Sequence, residues 1–142
     1  MSFELPPIVK CAERMLVEIE QAVRSFPRYH KYVIGTELRQ QAMSVARSAH
    51  RAWRDREHQT EHTIQLARAI DDMKLTLQLG QQIKAFASFA QFEALARVLA
   101  DLGRQCGGWQ KQQRSKRQNA QASGPGQRPQ ILSARAAEGA SP

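Results

Sequence analysis

Cysteine, aromatic residues and long apolar runs are all scarce in this chain of 142 residues. Its two cysteines, Cys11 and Cys106, are too few for the disulfide framework of a small secreted domain. No apolar h-region follows Met1, and each apolar run is short and broken by charge, so neither a secretory signal nor a membrane span is expected. Aromatics make up only 6% of the residues, and no stretch alternates apolar and polar residues for long enough to make a strand. A cytoplasmic, reduced, single-domain protein without a membrane anchor follows. The 42% of apolar residues is rich in Ala and Leu, which favours packed helices.

Charge is the second uneven quantity. The formal net charge is +8, and two windows hold all of it. Arg28–Arg56 carries +5 and Gly103–Pro142 carries +6, while the two remaining windows are slightly acidic. Charge of one sign gathered on particular helix faces favours a polyanionic partner.

Apolar spacing predicts four helices. The first starts at Pro6–Pro7 and buries Ile8, Cys11, Ala12, Met15, Leu16, Ile19, Ala22, Val23 and Phe26, until Pro27 breaks it. The second runs from about Arg28 to about Asp55, with Ile34, Leu38, Ala42, Val45, Ala49 and Ala52 inward. Arg47, Arg51 and Arg54 fall on its opposite side and Arg39 on its flank. Gly35, inside this helix, predicts the close approach of another backbone. The third helix spans about Glu61 to Ala85, with Ile64, Ala67, Ile70, Met73, Leu77 and Ile83 on one face and Leu66, Leu75 and Leu79 widening it. So wide a face fits either a contact with a second subunit or deep burial in a monomer. Ser88 with Gln91 resembles a capping box that opens the fourth helix. Its inward set is Phe92, Leu95, Ala96, Leu99, Leu102, Gly103, Cys106 and Trp109, and Arg97, Arg104 and Lys111 form a second basic stripe on the far side.

The fold class expected is all-α, an antiparallel up-down-up-down four-helix bundle over residues 1–114. Beyond about Ser115 the apolar period stops. Residues 115–142, rich in Gln, Ala, Ser, Gly and Pro, are expected to form a disordered basic tail.

Catalytic patterns are missing. No nucleophile elbow, phosphate-binding glycine loop or dinucleotide fingerprint occurs. Cys11 and Cys106 fall on apolar stripes, away from a predicted base, and the adjacent acids Asp71 and Asp72 diverge on their helix. His58 and His62, four residues apart with Glu61 between them, have the spacing of a metal pair, but a solvated helix start, polar throughout, is the preferred reading of them. No catalytic residue, metal site or cofactor is assigned. The basic stripes remain. Arg28, Lys31, Arg39, Arg47, Arg51 and Arg54, with Arg97, Arg104 and Lys111, are the candidates for contact with nucleic-acid phosphates. Few aromatics interleave them, so base stacking is not obviously provided for; Trp53 is a single candidate platform.

Two segments, Phe26-Pro27-Arg28-Tyr29-His30-Lys31-Tyr32-Val33-Ile34-Gly35 and Leu102-Gly103-Arg104-Gln105-Cys106-Gly107-Gly108-Trp109-Gln110-Lys111, resemble the accessory variability determinant proteins of diversity-generating retroelements. These belong to a wider family of bacterial four-helix-bundle proteins. The resemblance covers about Ile8 to Arg114. It implies a barrel-shaped homopentamer with a positive surface that binds a partner reverse transcriptase, the template RNA and cDNA, and supports mutagenic retrohoming without being the polymerase. Gly35, Gly103, Gly107, Gly108 and Trp109 are assigned to packing or subunit contact. Two alternatives stand beside this one: a bundle protein encoded in an intervening sequence of ribosomal RNA, and a scaffold whose arginines face an acidic protein.

Overall fold

The computed structural model describes residues 5–122, with side chains to residue 119. The described residues are helical, with no strand among them. The helices are α1 (Pro7–Arg24), a single turn α2 (Arg28–His30), a π-helical turn (Lys31–Gly35), α3 (Thr36–Arg54), α4 (Gln59–Gln82) and α5 (Phe89–Ala122). The chain divides into two units, Met1–Gln110 and Lys111–Pro142. No helix among the described residues is long and apolar enough to cross a membrane.

α1 begins as the sequence predicts, with Pro7 in the first turn, where its missing N–H costs little. Its stripe is buried from Ile8 to Phe26, with Cys11 and Leu16 half-buried. Val9, absent from the expected stripe, is fully buried as well. At the C-terminus the Ser25 amide and hydroxyl both donate to the Ala22 carbonyl, at 3.0 and 2.9 Å. Pro27 then turns the chain.

The expected second helix is helical over nearly its whole span but not uniformly α. The π turn at Lys31–Gly35 interrupts it, so the side chains before and after the turn differ in phase. From Leu38 on, the expected inward set is fully buried, whereas Ile34 is only half-buried. Gly35 admits a side chain rather than a backbone: a Cβ there would lie 2.8 Å from Cγ1 of Val23.

α4 corrects the expected third helix. It spans Gln59–Gln82 and buries Thr63, Leu66, Ile70, Met73, Thr76, Leu77 and Gly80. Ile64 and Ile83, expected inside, are exposed, as are Leu75 and Leu79. The inward face contains two threonines whose hydroxyls donate to their own helix, Thr63 to the Thr60 carbonyl at 2.9 Å and Thr76 to the Asp72 carbonyl at 3.1 Å. A stripe read from apolar residues alone misses such self-satisfied polar positions: Ile70, Met73 and Leu77 of the expected face are buried with Leu66, while the ends of that face turn outward. The helix stops in a Schellman motif. Lys84, at φ 60°, donates its amide to the Gln81 carbonyl, and the Ala85 amide reaches the Gly80 carbonyl at 2.9 Å.

Ser88 accepts the Gln91 amide at 3.1 Å, as a capping residue should. The reciprocal half differs: the Gln91 side chain accepts the Ala87 amide and donates to the Ser25 hydroxyl at 3.2 Å, tying the start of α5 to the end of α1. Leu95, Val98, Leu99, Leu102 and Cys106 complete the core with α1, α3 and α4. α5 continues past Ser115 to Ala122, so the first residues of the expected tail are helical; residues 123–142 of that tail lie outside the described residues.

Candidate nucleic-acid interface

α3 turns one side to the core through Leu38, Ala42, Val45, Ala49 and Ala52. At about 100° per residue, Arg47, Arg51 and Arg54 fall within a sector of about 60° on the opposite side. All three are exposed. They span about two turns, or roughly 10 Å of helix. Among the described residues no carboxylate lies within ion-pair distance of them. Arg54 stacks on the half-buried Trp53, with the guanidinium carbon 5.7 Å from the ring centroid. Trp53 itself packs on the core rather than standing free.

The other candidates divide by their partners. Arg39 is ion-paired with Glu20 of α1. Arg97 pairs with Glu93 at 3.6 Å and Arg104 with Asp101 at 3.3 Å, each along its own helix. These exposed pairs hold little energy and rearrange readily, but each guanidinium already faces a carboxylate. Arg28 is exposed and Lys31 half-buried, and neither meets a carboxylate among the described residues. Lys111 lies in the second unit, where it is exposed with Arg114, Lys116 and Arg117. The basic stripe on α3 is thus free, whereas Arg97 and Arg104 on α5 are self-paired.

The histidines are used locally. His50 hydrogen-bonds Glu13 of α1 at 2.8 Å. His58 and His62 converge on Asp55 from 3.1 and 3.0 Å. The hydrogen bond to His62, followed by that to His58, holds the Asp55 carboxyl below its usual value of 3.8. Among the described residues no group of three or more His, Cys, Asp or Glu is arranged to hold a metal ion.

Both thiols are pushed away from the thiolate form. Burial, then the charge of Asp71, raises Cys106 to about 11. Burial, then Asp101 with its carboxylate 3.8 Å from the sulfur, raises Cys11. Lys74 lies across Gly103, with Nζ 2.9 Å from where a Cβ would sit, so that glycine accommodates a side chain. Among the described residues a Cβ on Gly107 or Gly108 would meet nothing within 4 Å, so neither is a close-packing position against them.

The two exposed tyrosines, Tyr29 and Tyr32, are what the sequence reading missed. They stand beside Arg28 and Lys31 in the segment quoted for the resemblance. The signal was present in that tyrosines at i and i+3 interleave basic residues, but burial had to decide whether they face the core.

No family model, curated protein or solved structure matches this chain.

Proposed function

We propose that the protein is a non-catalytic, nucleic-acid-binding accessory subunit of a diversity-generating retroelement, contacting template RNA, cDNA and the element's reverse transcriptase. The observation that carries it is the row of exposed, carboxylate-free guanidiniums Arg47, Arg51 and Arg54 on α3. The raised thiols leave neither Cys11 nor Cys106 poised as a nucleophile, because that role needs the thiolate. The quoted Phe26–Gly35 and Leu102–Lys111 segments point to the retroelement group within the four-helix-bundle family.

An up-down-up-down topology belongs to this reading. Glu20–Arg39 with Glu13–His50 supports an antiparallel α1 and α3, and Cys106–Thr63 with Gly103–Lys74 supports an antiparallel α4 and α5. The exposed Ile64, Leu75, Leu79 and Ile83 provide an apolar face for homopentamer formation, which a deeply buried monomer helix would not present.

The test is fluorescence anisotropy with labelled RNA and DNA on the full chain and its Arg47→Ala/Arg51→Ala/Arg54→Ala variant. Weaker binding with unchanged helicity, and a salt slope lower by about one for each phosphate-contacting arginine removed, are the expected results. Equal binding by both proteins would remove Arg47, Arg51 and Arg54 as the phosphate contacts, and binding by neither would move the function to an acidic protein partner. A neighbouring reverse transcriptase gene with template and variable repeats distinguishes the retroelement role from a ribosomal RNA intervening sequence.

A further inference from the structure

The turn between α1 and α3 holds two aromatic rings away from the core. Phe26 is buried there, edge-on to Phe86 with ring centroids 5.1 Å apart, and Gly35 is buried against Val23. These two anchors leave Tyr29 85% exposed, Tyr32 68% and Val33 71%. No hydrogen bond to either phenol occurs among the described residues, and Tyr29 meets His30 in a T-shaped contact with centroids 5.1 Å apart. Scattered exposed apolar residues need no explanation, but rings gathered on one short turn do. The turn is also π-helical, a rare conformation that concentrates at functional sites.

Charge surrounds the rings. Arg28 is exposed beside Tyr29. Lys31 and Tyr32 line an open cleft of about 260 Å³ with Arg24 of α1 and Arg39 of α3. The carboxylate in that cleft, Glu20, is engaged by Arg39, and Glu37 stands exposed one turn further on. A cleft of this size is below the range of about 300–1,000 Å³ typical of small-molecule sites. An ammonium and a guanidinium beside a standing aromatic ring suit a chain with alternating phosphates and flat faces.

We propose that Tyr29 and Tyr32, flanked by Arg28 and Lys31, form a stacking platform for unpaired bases of single-stranded nucleic acid. This rests on the nucleic-acid reading above and adds the strand state of the ligand. The arginines of α3 attract any phosphate chain; the tyrosines accept only bases free of a duplex, because a paired base keeps its faces inside the stack.

The experiment measures binding of a labelled oligo(dT) strand and of a duplex of equal length to the full chain. Tyr29→Ala/Tyr32→Ala weakens single-strand binding roughly tenfold or more and leaves duplex binding within about twofold, while Tyr29→Phe/Tyr32→Phe keeps both. Tyr29→Ala alone, at the more exposed ring, serves if the double variant melts early. Unchanged single-strand binding overturns the platform, as does an equal loss on both probes. A change in the mass of the free protein with unchanged single-strand binding overturns it too, and assigns the turn to contact between copies. If the wild-type chain binds neither probe, the nucleic-acid reading itself fails. If Arg47→Ala/Arg51→Ala/Arg54→Ala weakens binding and the tyrosine variant does not, only the platform is lost.

Discussion

At Gly35 a methyl group would lie 2.8 Å from Cγ1 of Val23, a buried and β-branched side chain with little freedom to move aside. Overpacking of that kind costs about 1–3 kcal/mol, against a helix-propensity gain of about 1 kcal/mol for Gly→Ala. Gly35→Ala is therefore expected to destabilise by roughly 1 kcal/mol in chemical denaturation, and the same substitution should cost less in a Val23→Ala background, where the obstructing methyl is gone. The thiols make a second residue-scale case. With Cys106 pushed up to about 11 and Cys11 also raised, alkylation at pH 8 should be slow in the native protein and should accelerate on unfolding, as read by mass spectrometry. Asp55 makes a third. Its folded carboxyl titrates below the unfolded value, so its contribution is present above that value and is lost as pH falls through the folded one. Asp55→Asn should lower the melting temperature at pH 6 and converge with wild type in strong acid.

Elements end here by local chemistry that is only partly visible in sequence. The α1 stop at Ser25-Phe26-Pro27 and the Ser88 cap follow from residue types alone. Ser88→Ala should cost about 1 kcal/mol in chemical denaturation, the usual loss of an N-cap. The end of α4 is different: a lysine holds the left-handed position where glycine is usual. Lys84→Gly is expected to stabilise the fold by about 1 kcal/mol, because a side chain with a Cβ is strained at that φ. The extent of the inward face of α4 was also hidden, although its centre at Ile70, Met73 and Leu77 was not. Ile64 and Leu66 look alike as letters, yet Leu66 is fully buried and Ile64 is exposed. Threonines on the inward face broke the apolar pattern, and only contact with the neighbouring helices reveals them as core.

At the scale of the molecule, the charge of +8 sets the direction of any association, and raised salt should weaken nucleic-acid binding steeply if phosphates are the ligand. The nine basic candidates were legible as positions on helix faces, because a period of about 3.6 residues makes one side of a helix follow from order along the chain. Spacing also makes the pairs of Arg97 with Glu93 and Arg104 with Asp101 legible, at i,i+4 and i,i+3, but not the partner of Arg39. Arg39 meets Glu20 across a separation of nineteen residues, a pairing that depends on how α1 and α3 pack. Nor do the letters say whether Tyr29 and Tyr32 face the core; Phe26 and Gly35 are buried in their turn while both rings stand exposed. Helical character, the main breaks and the sign of the surface charge came from local chemistry, since propensity, proline sterics and formal charge belong to residues and their neighbours. The pairing of Arg39 with Glu20, the outward leucines of α4 and the standing tyrosines were decided in three dimensions, since contacts between helices and burial are properties of packed helices and not of one strand of letters.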